Sequence, residues 1–198
     1  LALALALTAF WALAMAGIGP GEMPTRVAEG LRNLGWLAFL LMAQWRLTGR
    51  VAPTLMAVHA MASLIVVLSL VLFIASEAAP RPAAADLFEG AAMMLRLMAV
   101  LTALVILHNL YGSVRDAGAR MLLLSIAALW IVDANVYVAQ LVTGEPALEL
   151  QAARGLATSL IAAAIAVALT RRDDWEMRVS RKVTLQSLSV LGAIAYLV

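Results

Sequence analysis

The chain has 198 residues, of which 64% are hydrophobic and 13% charged, with a net charge of +2 and no cysteine. Soluble domains carry charge on roughly a quarter of their residues, and this chain has a mean hydropathy of +0.96, so its natural solvent is lipid. The missing cysteine excludes disulfides, thiolate catalysis, iron–sulfur clusters and sulfur-ligated zinc, and the basic residues sit at helix ends rather than in a clustered face, which excludes a nucleic-acid partner.

No stretch alternates apolar and polar residues between turns as a membrane barrel strand does, so the expected fold is all-α, a polytopic bundle of about seven transmembrane spans. The whole of 1–198 reads as one integral membrane domain. The first span, 1–19, ends where Gly19, Pro20, Gly21 and Pro24 interrupt helix continuation. The second, 26–45, begins with Glu29 and Arg32, which places its opening turns in the interface. Pro53 opens the third, 53–76, which contains no charge. The segment from Glu77 to Asp86 reads as a loop because of Pro80 and Pro82; the fourth span, 87–111, follows and encloses Arg96. The fifth span is 121–143 and the sixth 147–170, with Gly144 and Pro146 between them. A charged segment, 171–182, precedes a last apolar run, 183–198. That run is shorter than the roughly 20 residues a spanning helix needs, and both ends of the chain read as cut.

Loops after even-numbered spans hold nine basic residues and those after odd-numbered spans, with their adjacent helix ends, hold four. Cytoplasmic loops collect Lys and Arg, which places residue 1 inside and residue 198 outside. A cytoplasmic domain downstream then requires an eighth span.

Ionisable groups in a bilayer core are costly, which makes each a candidate for function. Arg96 and Asp133 lie at similar depth, roughly 14 Å from the outer ends of their helices by helical rise, and could pair. Trp130, Asp133, Tyr137 and Gln140 follow an i, i+3, i+7, i+10 stripe, with Arg154 near the mouth of the sixth span. These six residues either line a polar ligand pocket open to the outside or glue helices together through an ion pair and hydrogen bonds. Asn135 points off the stripe and reads as such glue. His59 and His108, near the inner ends of consecutive spans, offer a haem-ligand alternative. The one lysine, Lys182, is in a loop, which excludes a retinal Schiff base. No metalloprotease, phosphate-loop or nucleophile-elbow motif occurs, so the stretch itself has no catalytic residues.

From His108 onward the chain resembles the N-terminal membrane region of PrsK-type sensor histidine kinases of PEP-CTERM/exosortase systems in Gram-negative bacteria. The resemblance lies in His108-Asn109-Leu110-Tyr111, in Trp130, Asp133-Ala134-Asn135 and Tyr137, in Arg154-Gly155, and above all in Trp175 to Val183 with Ser187. The chain departs from that pattern at His108, where an acidic residue is usual, and at Ala134, where Leu is usual. The resemblance implies an inner-membrane input domain that binds a small or lipophilic signal and passes it to a cytoplasmic kinase. It implies ATP and magnesium only in that downstream kinase, a homodimer through the kinase region, and a cognate response regulator. A small-molecule transporter is the competing expectation.

Overall fold

The computed structural model describes residues 1–144 and 148–170. The expected seventh span, 183–198, and the basic segment 171–182 lie outside the described residues. The described residues form six helices and no strand: α1 (Ala2–Gly17), α2 (Met23–Thr48), α3 (Pro53–Glu77), α4 (Pro82–Ser113), α5 (Ala117–Thr143) and α6 (Leu148–Thr170). Among them α3, α4 and α5 are long and apolar enough to cross a membrane. α1 is shorter, and α2 carries Arg26, Glu29, Arg32 and Arg46 within its length.

The helix ends follow local chemistry. Proline stands in the first turn of α2, α3 and α4, where the backbone N–H it lacks would have had no partner. α4 therefore starts at Pro82, five residues before the apolar run that suggested Leu87, and its 32 residues extend about 48 Å. That exceeds a hydrocarbon core of about 30 Å, so α4 placed across a bilayer would tilt or project beyond it. Similarly, α5 begins at Ala117 because the Asp116 carboxylate accepts the Ala119 N–H at 2.6 Å, a side-chain cap that recruits residues assigned to a turn by hydropathy alone. α2 and α5 stop at Gly49 and Gly144, whose φ angles of 69° and 71° are left-handed and favour glycine.

Helices adjacent in sequence pack on one another from α1 to α6 wherever the intervening turn is short, and α2 also reaches α4. α2 and α5 supply much of the interior, including Trp36, Leu37, Leu40, Leu122, Ile126 and Trp130. The outer surface is apolar: Leu64 on α3 is 65% exposed and Val105 on α4 is 63% exposed, in company with Val71, Met94, Met98 and Leu101. An apolar face of that extent suits lipid and is costly in water.

The contact of α1 with α2 is unusually close at Gly35. A Cβ there would lie 2.7 Å from Leu7 Cδ1 and 3.5 Å from Ala4 Cα. Beside it, Trp36 Nε1 donates to Thr8 Oγ1 at 3.1 Å, and that hydroxyl donates to the Ala4 carbonyl at 2.7 Å. The small residue and the hydrogen bond together fix how α1 is rotated on α2. Gly35→Leu is expected to lower stability by about 1–3 kcal/mol through overpacking, whereas Gly35→Ala should cost less because the Leu7 methyl can move. Thermal unfolding in detergent or lipid nanodiscs checks both, and equal midpoints for Gly35→Leu and the parent would contradict the close approach.

Candidate functional site

The interior of the bundle holds a network of charged side chains. Arg26, Glu29 and Arg32 recur every three residues along α2 and so share one face, with Asn33 beside them. Asp133 and Tyr137 stand on the buried face of α5, four residues apart, and Arg154 lies two turns into α6. Trp11 projects from α1 through the rotation that Gly35 and Thr8 impose. Glu29, Arg32, Asp133 and Arg154 are all at most 3% exposed.

Both oxygens of each carboxylate accept hydrogen bonds. Asp133 accepts from Arg32 Nη2 on Oδ2 and from Arg154 Nε on Oδ1, the latter at 2.7 Å. Glu29 Oε1 accepts from Arg154 Nη2 at 2.5 Å and from the Tyr137 hydroxyl at 2.8 Å, while Oε2 pairs with Arg26 Nη1 at 3.2 Å. Arg154 thus bridges the α2 carboxylate to the α5 carboxylate. Arg32 also donates to Asn33 Oδ1 at 3.0 Å and 3.3 Å. Charge-assisted, multiply hydrogen-bonded pairs are the arrangement that offsets desolvation, because each ion has several polar partners in place of water.

Four guanidiniums, those of Arg26, Arg32, Arg96 and Arg154, face two carboxylates here, so positive charge is in excess. Aromatic faces take up part of it. The guanidinium carbons of Arg32 and Arg154 lie 4.2 Å and 4.5 Å from the Trp11 ring centroid, and that of Arg154 is 5.6 Å from Tyr137. Arg26 and Arg96 lie 6.0 Å and 5.9 Å from Phe73 on α3. The negative face of each ring is a weak counter-charge that costs no additional buried anion.

The six sequence candidates divide. Asp133, Tyr137 and Arg154 belong to the network. Trp130 is buried and shares a void of about 10 Å³ with Asn33, Leu37, Val66 and Ala99, and makes none of the ion-pair contacts. Gln140 is buried, and its carbonyl oxygen has no hydrogen-bond partner among the described residues. Arg96 does not pair with Asp133: the Asp133 oxygens are taken by Arg32 and Arg154, and Arg96 turns instead to Phe73. Glu29 and Arg32 are buried against α5 and α6. The signal for them was present as the three-residue recurrence of charge on one face of α2, whereas nothing in the sequence marked Trp11. Asn135 is exposed and donates to the Ile131 carbonyl of its own helix at 2.7 Å, so among the described residues it does not glue helices together. His59 is buried with Nδ1 2.9 Å from the Leu55 carbonyl, and His108 is exposed. Among the described residues no group of three or more His, Cys, Asp or Glu side chains could hold a metal ion.

Compared with protein-family models, with curated proteins and with solved structures, the chain matches none.

Removing one member of this network leaves its partner charged and buried. Asp133→Asn, which strands Arg32 and Arg154, is expected to cost about 3–5 kcal/mol. Tyr137→Phe, which removes one hydrogen bond to Glu29, should cost about 1–3 kcal/mol. The ranking is read from thermal or denaturant unfolding in lipid nanodiscs, and an Asp133→Asn protein as stable as the parent would refute the network. Arg32→Met introduced into Asp133→Asn should recover part of the loss, because it removes one of the two stranded charges.

Proposed function

We propose that this chain is the membrane-embedded signal-input domain of a two-component sensor histidine kinase, crossing a bacterial inner membrane about seven times with residue 1 inside. The observation that carries the reading is the buried network of Glu29, Arg32, Asp133 and Arg154, which ties α2, α5 and α6 across more than a hundred residues of sequence. A bundle that merely fills a bilayer needs no such charges, and each is expensive to place there. A network with several near-equivalent partners can be redistributed by a ligand that favours one arrangement over another. Redistribution at Arg154 changes how α6 is held against α2 and α5, and α6 is the described helix that leads on to residue 171.

The asymmetry of basic residues supports the orientation, with the turns at 49–52 and 114–116 inside and the turn at 78–81 outside. The nine residues Trp175 to Val183 and the Arg154-Gly155 pair support the kinase family through the resemblance already described. ATP, magnesium, the dimer and the response regulator belong in this reading to the kinase portion. The network in this stretch acts as a joint between helices rather than as a catalytic centre.

Two measurements test it. Reporter fusions after residues 50, 80 and 115 are expected to report cytoplasm, periplasm and cytoplasm in that order. The intact gene product in nanodiscs is expected to autophosphorylate from ATP, and Asp133→Glu, which keeps the charge but shifts the carboxylate, should change the basal rate several-fold. A cytoplasmic report at residue 80, or an intact product with no kinase activity, overturns the reading. Solute uptake by proteoliposomes would then make a carrier the better account.

A further inference from the structure

The arginine excess has a location. Both Nη atoms of Arg96 are buried without a hydrogen-bond partner among the described residues, and so is Nε of Arg26. Arg96 is only 7% exposed. Neither Glu29, which receives Arg154, Tyr137 and Arg26, nor Asp133, which receives Arg32 and Arg154, hydrogen-bonds to it. A guanidinium holds its proton too firmly to escape this situation by becoming neutral. An unpaired charge of this kind is among the costliest groups a protein can bury.

Arg96 borders a cleft between α2, α3 and α4, which Arg26, Glu29, Gly30, Ser69, Leu70 and Phe73 also line. Arg26 and Arg96 approach the same Phe73 ring, so two cations converge on one end of the cleft. The enclosed space is about 20 Å³, room for a group the size of a water molecule or the end of a carboxylate, and too little for a whole drug-sized ligand. Gly30 keeps the wall open: a Cβ there would meet only Leu70 Cδ2, at 3.8 Å. Leu70 and Gly30 are half-buried and mark the mouth. Val67 and Ile74 share the helical face of Leu70 and are 45% and 39% exposed, forming an apolar track that leads from the mouth along α3.

We propose that this cleft binds an anionic amphiphile, with an oxyanion headgroup gripped by Arg96 and Arg26 and an apolar tail lying along Val67, Leu70 and Ile74. A planar carboxylate, or two oxygens of a phosphate, matches the two parallel Nη donors of Arg96. Arg26 and Arg96 together bring two positive charges to the head, offset in part by Glu29 and Glu89. The inference rests on the membrane placement in the proposed function and identifies the ligand class for an input domain; it does not depend on the kinase. Glu29 also lines the cleft and already pairs with Arg26, so an arriving oxyanion competes with Glu29 for Arg26 and loosens one end of the ion network.

The full chain in phosphatidylcholine nanodiscs, titrated with oleate, should bind it saturably, and phosphatidylglycerol should co-purify from native membranes and be seen by native mass spectrometry. Oleate binding without phosphatidylglycerol retention identifies a free fatty-acid type of ligand; the reverse identifies a resident lipid; neither binding overturns the proposal. Arg96→Met is expected to weaken binding at least about tenfold, the loss of a charge-assisted bidentate contact, and to raise the unfolding temperature of the ligand-free protein by removing an unpaired buried charge. Gly30→Leu, which fills the cleft and leaves Arg96 in place, should weaken binding comparably. Unchanged binding in both variants overturns the site, as does inorganic phosphate binding as tightly as oleate, which would remove the tail from the argument. These readouts are independent of topology and phosphorylation, so a failed site with correct reporter placement leaves the input-domain reading standing, and a failed topology is seen by the reporters alone.

Discussion

The structure depends on a single constraint: charge placed inside an apolar bundle must be matched within the bundle. Four arginines and two carboxylates are enclosed, and their requirements select the packing of the helices that carry them. Arg154 has to reach both Glu29 on α2 and Asp133 on α5, which fixes α6 against the other two in depth and rotation. Tyr137 adds a hydrogen bond to Glu29 from a position one helical turn beyond Asp133, so α5 is held to α2 at two levels rather than one. Dispersion contacts among leucines and alanines tolerate sliding; these polar contacts do not, because a small displacement exposes an ion to hydrocarbon.

The first helix enters this arrangement through sterics. Ala4, Leu7 and Thr8 meet α2 where Gly35 provides no side chain, and the Trp36–Thr8 hydrogen bond sets the rotation. Three residues beyond Thr8, Trp11 then lies over two guanidiniums at once. A close backbone approach at one point is therefore what delivers an aromatic face to an electrostatic problem elsewhere. The same logic operates at Phe73, which lies between Arg26 and Arg96 on the other side of α2. Aromatic rings serve as diffuse counter-charges on both flanks of the ion network, and on the flank with Arg96 both Nη atoms of the guanidinium lack a hydrogen-bond partner among the described residues.

Of the described helices, α2 carries the most buried charge. Its charged face turns inward to α5 and α6, while Leu31 and Met42 stay exposed, the inverse of a helix on a water-soluble protein. A window average sums both faces and registers only that the helix is less apolar than α3 or α4. Its partners, not its composition, make its charges tolerable in the interior.

The sequence by itself determined the all-helical character, the stretches that become α1 to α6, and the inward stripe of Trp130, Asp133, Tyr137 and Gln140, because these follow from local composition and from the 3.6-residue period. Helix ends shifted by several residues at Pro82 and Ala117, where a proline or a capping carboxylate extends a helix past its apolar run. The pairing of charges was decided only in three dimensions. Arg32 finds Asp133 at a separation of 101 residues and Arg154 finds Glu29 at 125, while Arg96, at the depth that suggested a partnership with Asp133, is turned toward α3. Depth can be counted along a sequence. The rotation of each helix about its axis cannot, since it is set by contacts such as Gly35 with Leu7, and rotation decides which charges meet.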